Sequence, residues 1–299
     1  MQNDNVRQYL HLHVIVFIWG FTAVLGALIT IDAIPLVWYR MLLASIFIAL
    51  FIAWRKIGLR FKTLTLLGFA LSGLIIAVHW ITFFGAIKVS NVSVTLAVMS
   101  TGAFFTSLLE PLFFKRKVIG YEVFFGILVV AGLYLIFDLE TDYTEGILLA
   151  LAASFLGALF SVINGRYAQQ YKAAAITFYE LLAGVACITL YLLIEGRFTT
   201  AFFQLSGTDW GYLLLLASAC TAYAFIASVH VMRWLSPYTV MLTINLEPVY
   251  GILLALLILG SDEYMSPQFY YGAGLILITV IANGILKVWK RKRQRKAAT

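Results

Sequence analysis

Four ionisable side chains lie inside long apolar runs, where a charged group is costly unless it meets a partner or water. They are Arg40, Glu110, Glu180 and Glu247. Glu247 lies ten residues after Pro237, which is about 15 Å along a helix of ~1.5 Å rise per residue and so close to the middle of an apolar span. A carboxyl group at this depth can bind a cationic group or exchange a proton, so Glu247 is the first candidate for a functional group.

Polar side chains follow the same helical face as Glu247. Thr243 lies four residues before it and Tyr250 three residues after it, and these spacings place side chains on one face of a helix. A second helix carries Ser100 within a row of small and polar residues. We expect the two rows to line one substrate cavity. The alternative role for Glu247 is to brace the backbone freed by Pro248, and both roles stay open.

Arg40 and Glu180 occupy equivalent positions in the two halves of the chain, each one or two helical turns from an end of its apolar run. Each charge could gate one mouth of a cavity, and Arg40 could bind an anionic group of a substrate, which a planar guanidinium does well. Alternatively Arg40, which follows two aromatic residues, extends its side chain to the membrane surface. Glu110 lies five residues before Lys115, and we assign it a structural role.

Trp19, His79 and Trp80 are further candidates for substrate binding. Tryptophan rings provide flat apolar walls of the kind that line sites for organic solutes, and histidine can carry a proton near neutral pH. A histidine inside an apolar helix can equally be a hydrogen-bonded packing residue, so both interpretations of His79 stay open.

The composition indicates a lipid environment for most of the chain. Apolar residues make up 62% of the sequence and charged residues 12%, which is more apolar surface than a soluble core of this length could bury. Cys187 and Cys220 both lie in apolar runs, which excludes a disulfide framework and a thiolate metal site. The sequence has no metalloprotease motif, phosphate-binding loop or nucleophile elbow. We therefore predict a protein that is not an enzyme and holds no metal and no cofactor.

Ten apolar runs must position these side chains. The length of each run is close to the ~20 residues that a membrane-spanning helix needs. We place them at Leu10 to Thr30, Ile34 to Trp54, Thr63 to Gly85, Val92 to Phe114, Tyr121 to Phe137, Gly146 to Ile163, Ala175 to Glu195, Trp210 to Met232, Pro237 to Leu259 and Phe269 to Val288. Lys and Arg collect in every second connection, whereas acidic residues collect in the alternate ones. Because basic loops stay in the cytoplasm, we predict an all-α polytopic membrane protein with ten transmembrane helices and both termini cytoplasmic.

The ten runs divide into two similar sets of five. A shift of 146 residues aligns residues 90–105 with residues 236–251. An odd number of spans per set places the second set in the membrane upside down relative to the first, which is a recurrent construction of secondary transporters. We predict a first five-helix repeat at 1–141 and a second, inverted repeat with a basic cytoplasmic tail at 142–299.

Short motifs recur at the positions expected for one transporter family. They are Trp19-Gly20, the segment 35–40, Leu246-Glu247-Pro248-Val249 and the acidic pair Asp262-Glu263. With these motifs nearly the whole chain resembles the EamA-like family of the drug/metabolite transporter superfamily. It departs from the family pattern at residues 115–117, which are Lys-Arg-Lys where such proteins often carry Gly-Glu. The resemblance implies movement of small organic solutes, often outward, across a prokaryotic inner membrane.

Together these features predict a secondary transporter that exports small organic metabolites or drug-like compounds across the inner membrane by alternating access. Its expected partners are the substrate, the lipid bilayer and protons as a coupling ion, and a homodimer is compatible with the pattern. Nucleic acid is not an expected partner. Two alternatives are a membrane-embedded lipid-modifying enzyme and a lipid flippase, which would share the inverted bundle.

Overall fold

The structure, a computed structural model, describes residues 2–114, 120–139 and 141–297. These residues form helices and connections, without a strand among them. The helices are α1 (Gln2–Leu28), α2 (Ala33–Trp54), α3 (Thr63–Val89), α4 (Val92–Met99), α5 (Gly102–Phe114), α6 (Gly120–Leu139), α7 (Thr144–Tyr167), α8 (Ala173–Ile194), α9 (Thr200–Phe203), α10 (Gly207–Ala217), α11 (Ala224–Val231), α12 (Pro237–Ile244), α13 (Glu247–Ile258) and α14 (Pro267–Ala297). The basic cluster at 115–117 lies outside the described residues.

Helices occupy the positions of all ten predicted spans. Within the described residues, eight helical segments are long and apolar enough to cross a membrane, and α6 contains a shorter apolar stretch, Phe124–Leu135. The all-helical architecture with several membrane-spanning helices is thus confirmed. The count of ten spans and the cytoplasmic location of the termini stay predictions.

Two of the predicted spans are interrupted halfway. The span from Val92 to Phe114 divides into α4 and α5 at Ser100 and Thr101, and the span from Pro237 to Leu259 divides into α12 and α13 at Asn245 and Leu246. The two breaks fall within one residue of each other when the halves are aligned by the shift of 146 residues. Broken helices near the middle of the membrane are typical of transporters, where they expose backbone groups beside a binding site.

Local chemistry explains both breaks. After the second break Pro248 has no N–H to donate, and a proline ring clashes with the carbonyl group four residues earlier in a helix. At the first break the hydroxyl groups of Ser100 and Thr101 donate to the carbonyl oxygens of Ala97 and Val98, and such bonds compete with the helical ladder. The two predicted spans are therefore present as membrane-capable segments, each with a local interruption near its middle.

The helices of one half pack against those of the other. Helix α1 packs against α13, α4 against α13, α6 against α14, and α3 against both α7 and α8. Since the interior of the bundle is shared between the halves, a site in the middle receives side chains from both.

At one end of the bundle, which we call the acidic end, carboxyl groups of the second half bind backbone groups of the first. Asp209 of α10 accepts hydrogen bonds from the backbone N–H of Thr30 at 2.8 Å and from its hydroxyl group at 2.7 Å. Glu263 accepts bonds from the N–H groups of Val92 at 3.0 Å and Ser93 at 2.8 Å. These two N–H groups begin α4, and a helix N-terminus favours a negative charge.

The opposite end, which we call the basic end, is also closed by direct contacts. The Tyr179 hydroxyl donates a 2.7 Å bond to the carbonyl oxygen of Leu59 and so joins the halves. Arg233 donates to the carbonyl oxygens of Ala168 at 3.1 Å and Tyr171 at 2.8 Å, within the second half. The two ends therefore hold together through different chemistry.

Candidate functional site

A cavity of about 100 Å³ lies between the two halves. Its lining is mainly aromatic and aliphatic with a few polar groups, which is typical of sites for small organic ligands. The lining residues are Trp19, Thr22, Arg40, Ile76, His79, Trp80, Phe83, Met99, Gly157, Phe160, Ser161, Phe225, Ser228, Met232, Met241, Ile244 and Glu247.

Arg40 of α2 is the cation of the cavity, and only 1% of its surface is exposed. Its Nε donates a 2.7 Å hydrogen bond to the hydroxyl oxygen of Thr221. Its guanidinium carbon lies 4.0 Å from the centre of a Trp80 ring, a cation–π contact. Its Nη1 is buried without a hydrogen-bond partner. This burial argues against a side chain that extends to the membrane surface, and the unpartnered donor points to an acceptor on a bound ligand.

A π-helical turn, Ser218–Tyr223, joins α10 to α11 and holds two side chains of the cavity. A π-helical turn shifts the backbone hydrogen bonds by one residue, and such turns are frequent at functional sites. The carbonyl oxygen of Cys220 in this turn accepts a 3.1 Å bond from the indole N–H of Trp19. The Thr221 hydroxyl accepts from Arg40 and donates to a carbonyl oxygen five residues earlier. The turn thereby positions both Trp19 and Arg40.

Glu247 provides the carboxyl group of the cavity. It is the first residue of α13, directly after the break in the span. Its carboxyl group lies within electrostatic range of Arg40, without an ion pair between the two, and makes no hydrogen bond to the described part of the chain. The first turn of a helix favours a negative charge. In the described part of the chain the bracing role of this carboxyl group is not supported by a hydrogen bond.

His79 lines the same cavity from α3. Its Nδ1 lies 2.7 Å from the carbonyl oxygen of Ala153 on α7. Because a carbonyl oxygen only accepts, Nδ1 carries the hydrogen, and Nε2 of the neutral ring is an acceptor. Helix α7 approaches closely because residue 157 is glycine, where a Cβ would lie 3.1 Å from Cε1 of His79. His79 is thus a packing residue, and the acceptor Nε2 is the ring nitrogen that Ala153 does not engage.

Aromatic rings form the apolar walls. The Trp80 ring lies 5.3 Å from that of Phe225, and Phe225 in turn stacks on Phe160 at 5.2 Å. Together with Trp19 these rings line the same cavity as Arg40 and Glu247. The cavity therefore combines an apolar aromatic wall with a guanidinium group and a carboxyl group.

The structure brings together five of the side chains singled out in the sequence: Trp19, Arg40, His79, Trp80 and Glu247. Ser100, Thr243 and Tyr250 do not line the cavity. The hydroxyl groups of Ser100 and Thr243 bond to carbonyl oxygens of their own helices, and Tyr250 packs edge-on against Phe17 at 5.5 Å. Because each span is broken, its polar residues do not form one continuous row.

Glu180 also lies apart from the cavity. It is fully buried among Ser72 and Asn164, which is not the position of a charge at a cavity mouth. Sequence reasoning in turn missed Thr22 and Ser161, two lining residues with buried hydroxyl groups. The sequence did contain a signal for Thr22, which follows Trp19 by three residues and so lies on the same helical face.

Comparison with known proteins agrees with this architecture. The model of the EamA-like transporter family matches residues 8–138 and 144–285. An uncharacterized transporter of Archaeoglobus fulgidus is 23% identical over 286 residues, which cover 91% of this chain and 95% of that relative. A solved crystal structure shares the fold with a TM-score of 0.69 at 17% identity, and the match covers 94% of this chain and 98% of the other.

The chain belongs to the EamA-like transporter family, because the family model matches most of its length in two consecutive segments. It is a multi-pass membrane protein, and both its family and its archaeal relative indicate a membrane transporter. The resemblance found in the sequence motifs is thereby confirmed, and the two matched segments fit a two-repeat architecture.

Proposed function

We propose that this protein is a secondary transporter that moves a small amphipathic metabolite across a prokaryotic cytoplasmic membrane, with outward transport as the net direction. One observation carries the proposal: a guanidinium group and a carboxyl group, each with unused hydrogen-bonding capacity, share one apolar cavity. Within the described part of the chain Nη1 of Arg40 is buried without a hydrogen-bond partner, and the half-buried Glu247 carboxyl group, which lines the same cavity, makes no hydrogen bond. Buried polar groups of this kind need a ligand group or water to satisfy them.

The chemistry of the cavity favours a solute that carries both charges. An anionic group would bind Arg40, as guanidinium binds carboxylates well, and a cationic group would bind Glu247. An apolar body would lie against Trp19, Trp80 and Phe160. α-Amino acids are the simplest compounds with this arrangement.

The size of the cavity favours a metabolite over a drug-sized compound. Its volume is about 100 Å³, whereas pockets for drug-sized ligands have roughly 300–1,000 Å³. A solute of a few carbon atoms beyond its charged groups is therefore the proposed cargo.

Alternating access needs a gate on each side of the site. The contacts of Asp209 and Glu263 would form one gate, at the acidic end, and those of Tyr179 and Arg233 the other, at the basic end. In the proposed topology ten spans form two inverted repeats, at 1–141 and 142–299, and the basic end faces the cytoplasm with both termini. Opening one end then breaks one set of contacts and keeps the other.

A ligand screen tests the solute class. Purified protein in lipid nanodiscs is unfolded thermally with α-amino acids of graded side-chain size, since a ligand of the folded state raises the unfolding temperature. We expect at least one amino acid to stabilise the protein, and its methyl ester and N-acetyl derivative, each lacking one charge, to stabilise it less. Equal stabilisation by the free and capped compounds would contradict the proposed class.

Proteoliposomes then test transport itself. Counterflow of the stabilising amino acid should occur in vesicles with the protein and be absent from protein-free vesicles. A fluorescent lipid analogue in the same vesicles distinguishes a flippase. Lipid translocation or lipid conversion without counterflow would overturn the transporter proposal in favour of one of the two alternatives.

A further inference from the structure

Glu180 forms a second polar site that is separate from the cavity. It lies on α8 and meets Ser72 of α3 and Asn164 of α7, and none of the three side chains is exposed. Nδ2 of Asn164 donates to Oε1 of Glu180 at 2.8 Å and to the hydroxyl oxygen of Ser72 at 3.2 Å. We propose that Glu180 is a proton-binding site whose neutral carboxyl group is paired with the Asn164 amide.

Two buried oxygen atoms of this cluster, Oε2 of Glu180 and Oδ1 of Asn164, have no hydrogen-bond partner among the residues that the structure describes. Both only accept when the carboxyl group is ionised, so neither can satisfy the other. A proton on Glu180 makes the carboxyl group a donor, and Oδ1 of Asn164 is an acceptor on the side chain already bonded to it. A single proton on Glu180 would therefore give both oxygen atoms a hydrogen-bond partner.

Among the described residues no cation is paired with Glu180 to balance the charge that it would carry if it were ionised. Its interactions there are with Ser72 and Asn164 and, electrostatically, with Tyr167 of α7. The titratable groups on the other helices packed against α8 make their contacts elsewhere: Arg40 of α2 donates to Thr221, His79 of α3 bonds to the carbonyl oxygen of Ala153, and His230 of α11 packs against Trp234. A buried carboxylate without a cation is costly, and a neutral carboxyl group is much less so.

Close backbone packing fixes the Glu180 site in place. Helix α3 crosses α8 at Gly73, where a Cβ would lie 2.1 Å from the carbonyl oxygen of Glu180. One turn further along α8, a Cβ at Gly184 would lie 3.1 Å from the carbonyl oxygen of Gly73. Because the two backbones touch, a small helix shift cannot carry Glu180 to the surface.

The site adjoins the cavity wall on two helices. Ser72 lies four residues before Ile76 on α3, and Asn164 lies three residues after Ser161 on α7, and both Ile76 and Ser161 line the cavity. Residues at these spacings are neighbours on a helix, about 5–6 Å apart. If the proposed transport function holds, deprotonation of Glu180 would strain the crossing that supports two cavity walls, which would couple proton binding to solute binding.

Infrared difference spectroscopy of the purified protein tests the proton directly, because a protonated carboxyl group has a C=O band that a carboxylate lacks. We expect such a band near neutral pH to be lost in Glu180→Gln. It should persist in Glu195→Gln, the matched control at the exposed end of the same helix. Glutamine keeps the hydrogen-bond pattern of the neutral acid, so Glu180→Gln is expected to fold. An unchanged carboxyl band in Glu180→Gln would overturn the proposal.

Unfolding measured against pH gives a second test. Since Glu180 would keep its proton in the folded protein and lose it in the unfolded chain, the native protein and Glu195→Gln should lose stability more steeply than Glu180→Gln as the pH rises above about 4, where a free glutamate ionises. Parallel curves would contradict proton binding. Stabilisation by Na⁺ over K⁺ that disappears in Glu180→Gln would instead assign a metal cation to the site and overturn the proposal. Neither test needs a transported solute, so both stand if the proposed function fails.

Discussion

The cavity and the Glu180 site each contain a carboxyl group inside the bundle, but the surroundings of the two carboxyl groups differ. Glu247 lies at a helix N-terminus beside open space, within electrostatic range of Arg40. Glu180 is enclosed by Ser72 and Asn164 and does not face the cavity. A carboxyl group beside space can bind a solute, whereas one enclosed by its own partners can bind only something as small as a proton.

Removal of the cavity cation should have the largest effect. In Arg40→Gln the charge and the contact with Trp80 are lost, so the affinity for the stabilising amino acid should fall about 10- to 100-fold, since a hydrogen bond to a charged group contributes roughly 1.5–3 kcal/mol. Arg55→Gln, at the exposed end of the same helix, is the control. Ligand titrations followed by thermal unfolding measure both variants. Unchanged affinity in Arg40→Gln would show that the guanidinium group of the cavity does not bind the ligand.

A methyl group at the helix crossing should act on stability instead of binding. In Gly73→Ala the new Cβ meets the backbone of Glu180 at 2.1 Å, and overpacking of this kind costs about 1–3 kcal/mol. Gly211→Ala, on α10 with no atom within 4 Å of the new Cβ, should be neutral or slightly stabilising, since alanine favours helices. Thermal unfolding compares the two. Equal unfolding temperatures would show that the crossing is looser than described.

The hydroxyl group that holds Arg40 should have a smaller effect on binding. Thr221→Val keeps the shape of the side chain and removes the acceptor of the Arg40 Nε bond. We expect affinity to fall up to about tenfold, since one hydrogen bond contributes roughly 0.5–1.5 kcal/mol. Thr106→Val removes a buried hydroxyl group that bonds only within α5 and should leave the affinity unchanged. A similar loss in both variants would point to general destabilisation.

Replacement of Trp19 by phenylalanine should have the smallest effect. Trp19→Phe keeps an aromatic wall and removes the N–H that binds the Cys220 carbonyl oxygen. We expect a loss of affinity of a few-fold, since a single neutral hydrogen bond contributes about 1 kcal/mol. Trp54→Phe, at an exposed end of α2, is the control, and the same titrations measure it. A loss of affinity larger than that of Thr221→Val would show that the aromatic wall contributes more to binding than the hydrogen bond that positions Arg40.

Sequence patterns were sufficient to place the helices and five side chains of the cavity. An apolar run long enough to cross a membrane forms a helix because its backbone must bond internally in lipid. A charge such as Arg40 or Glu247 inside such a run is informative, because its cost requires a specific environment.

Tertiary packing decided what the sequence did not reveal. The π-helical turn at Ser218–Tyr223 consists of Ser, Ala, Cys, Thr, Ala and Tyr, residue types that regular helices of this chain also contain. Ser100 and Thr243 carried the correct residue types, but the breaks took them away from the cavity. The pairing of Glu180 with Asn164 depends on how α3, α7 and α8 cross, which no local spacing specifies.

A cycle that combines a change in the ligand with a change in the protein tests the paired-charge cavity most directly. The affinities of the stabilising amino acid and of its methyl ester are measured for the native protein and for Arg40→Gln. We predict that the native protein binds the ester at least about tenfold more weakly than the free acid, as expected for loss of one charge-assisted hydrogen bond, and that Arg40→Gln no longer distinguishes the two. The same preference in both proteins would show that Arg40 does not bind the anionic group and would contradict the proposed role of the cavity.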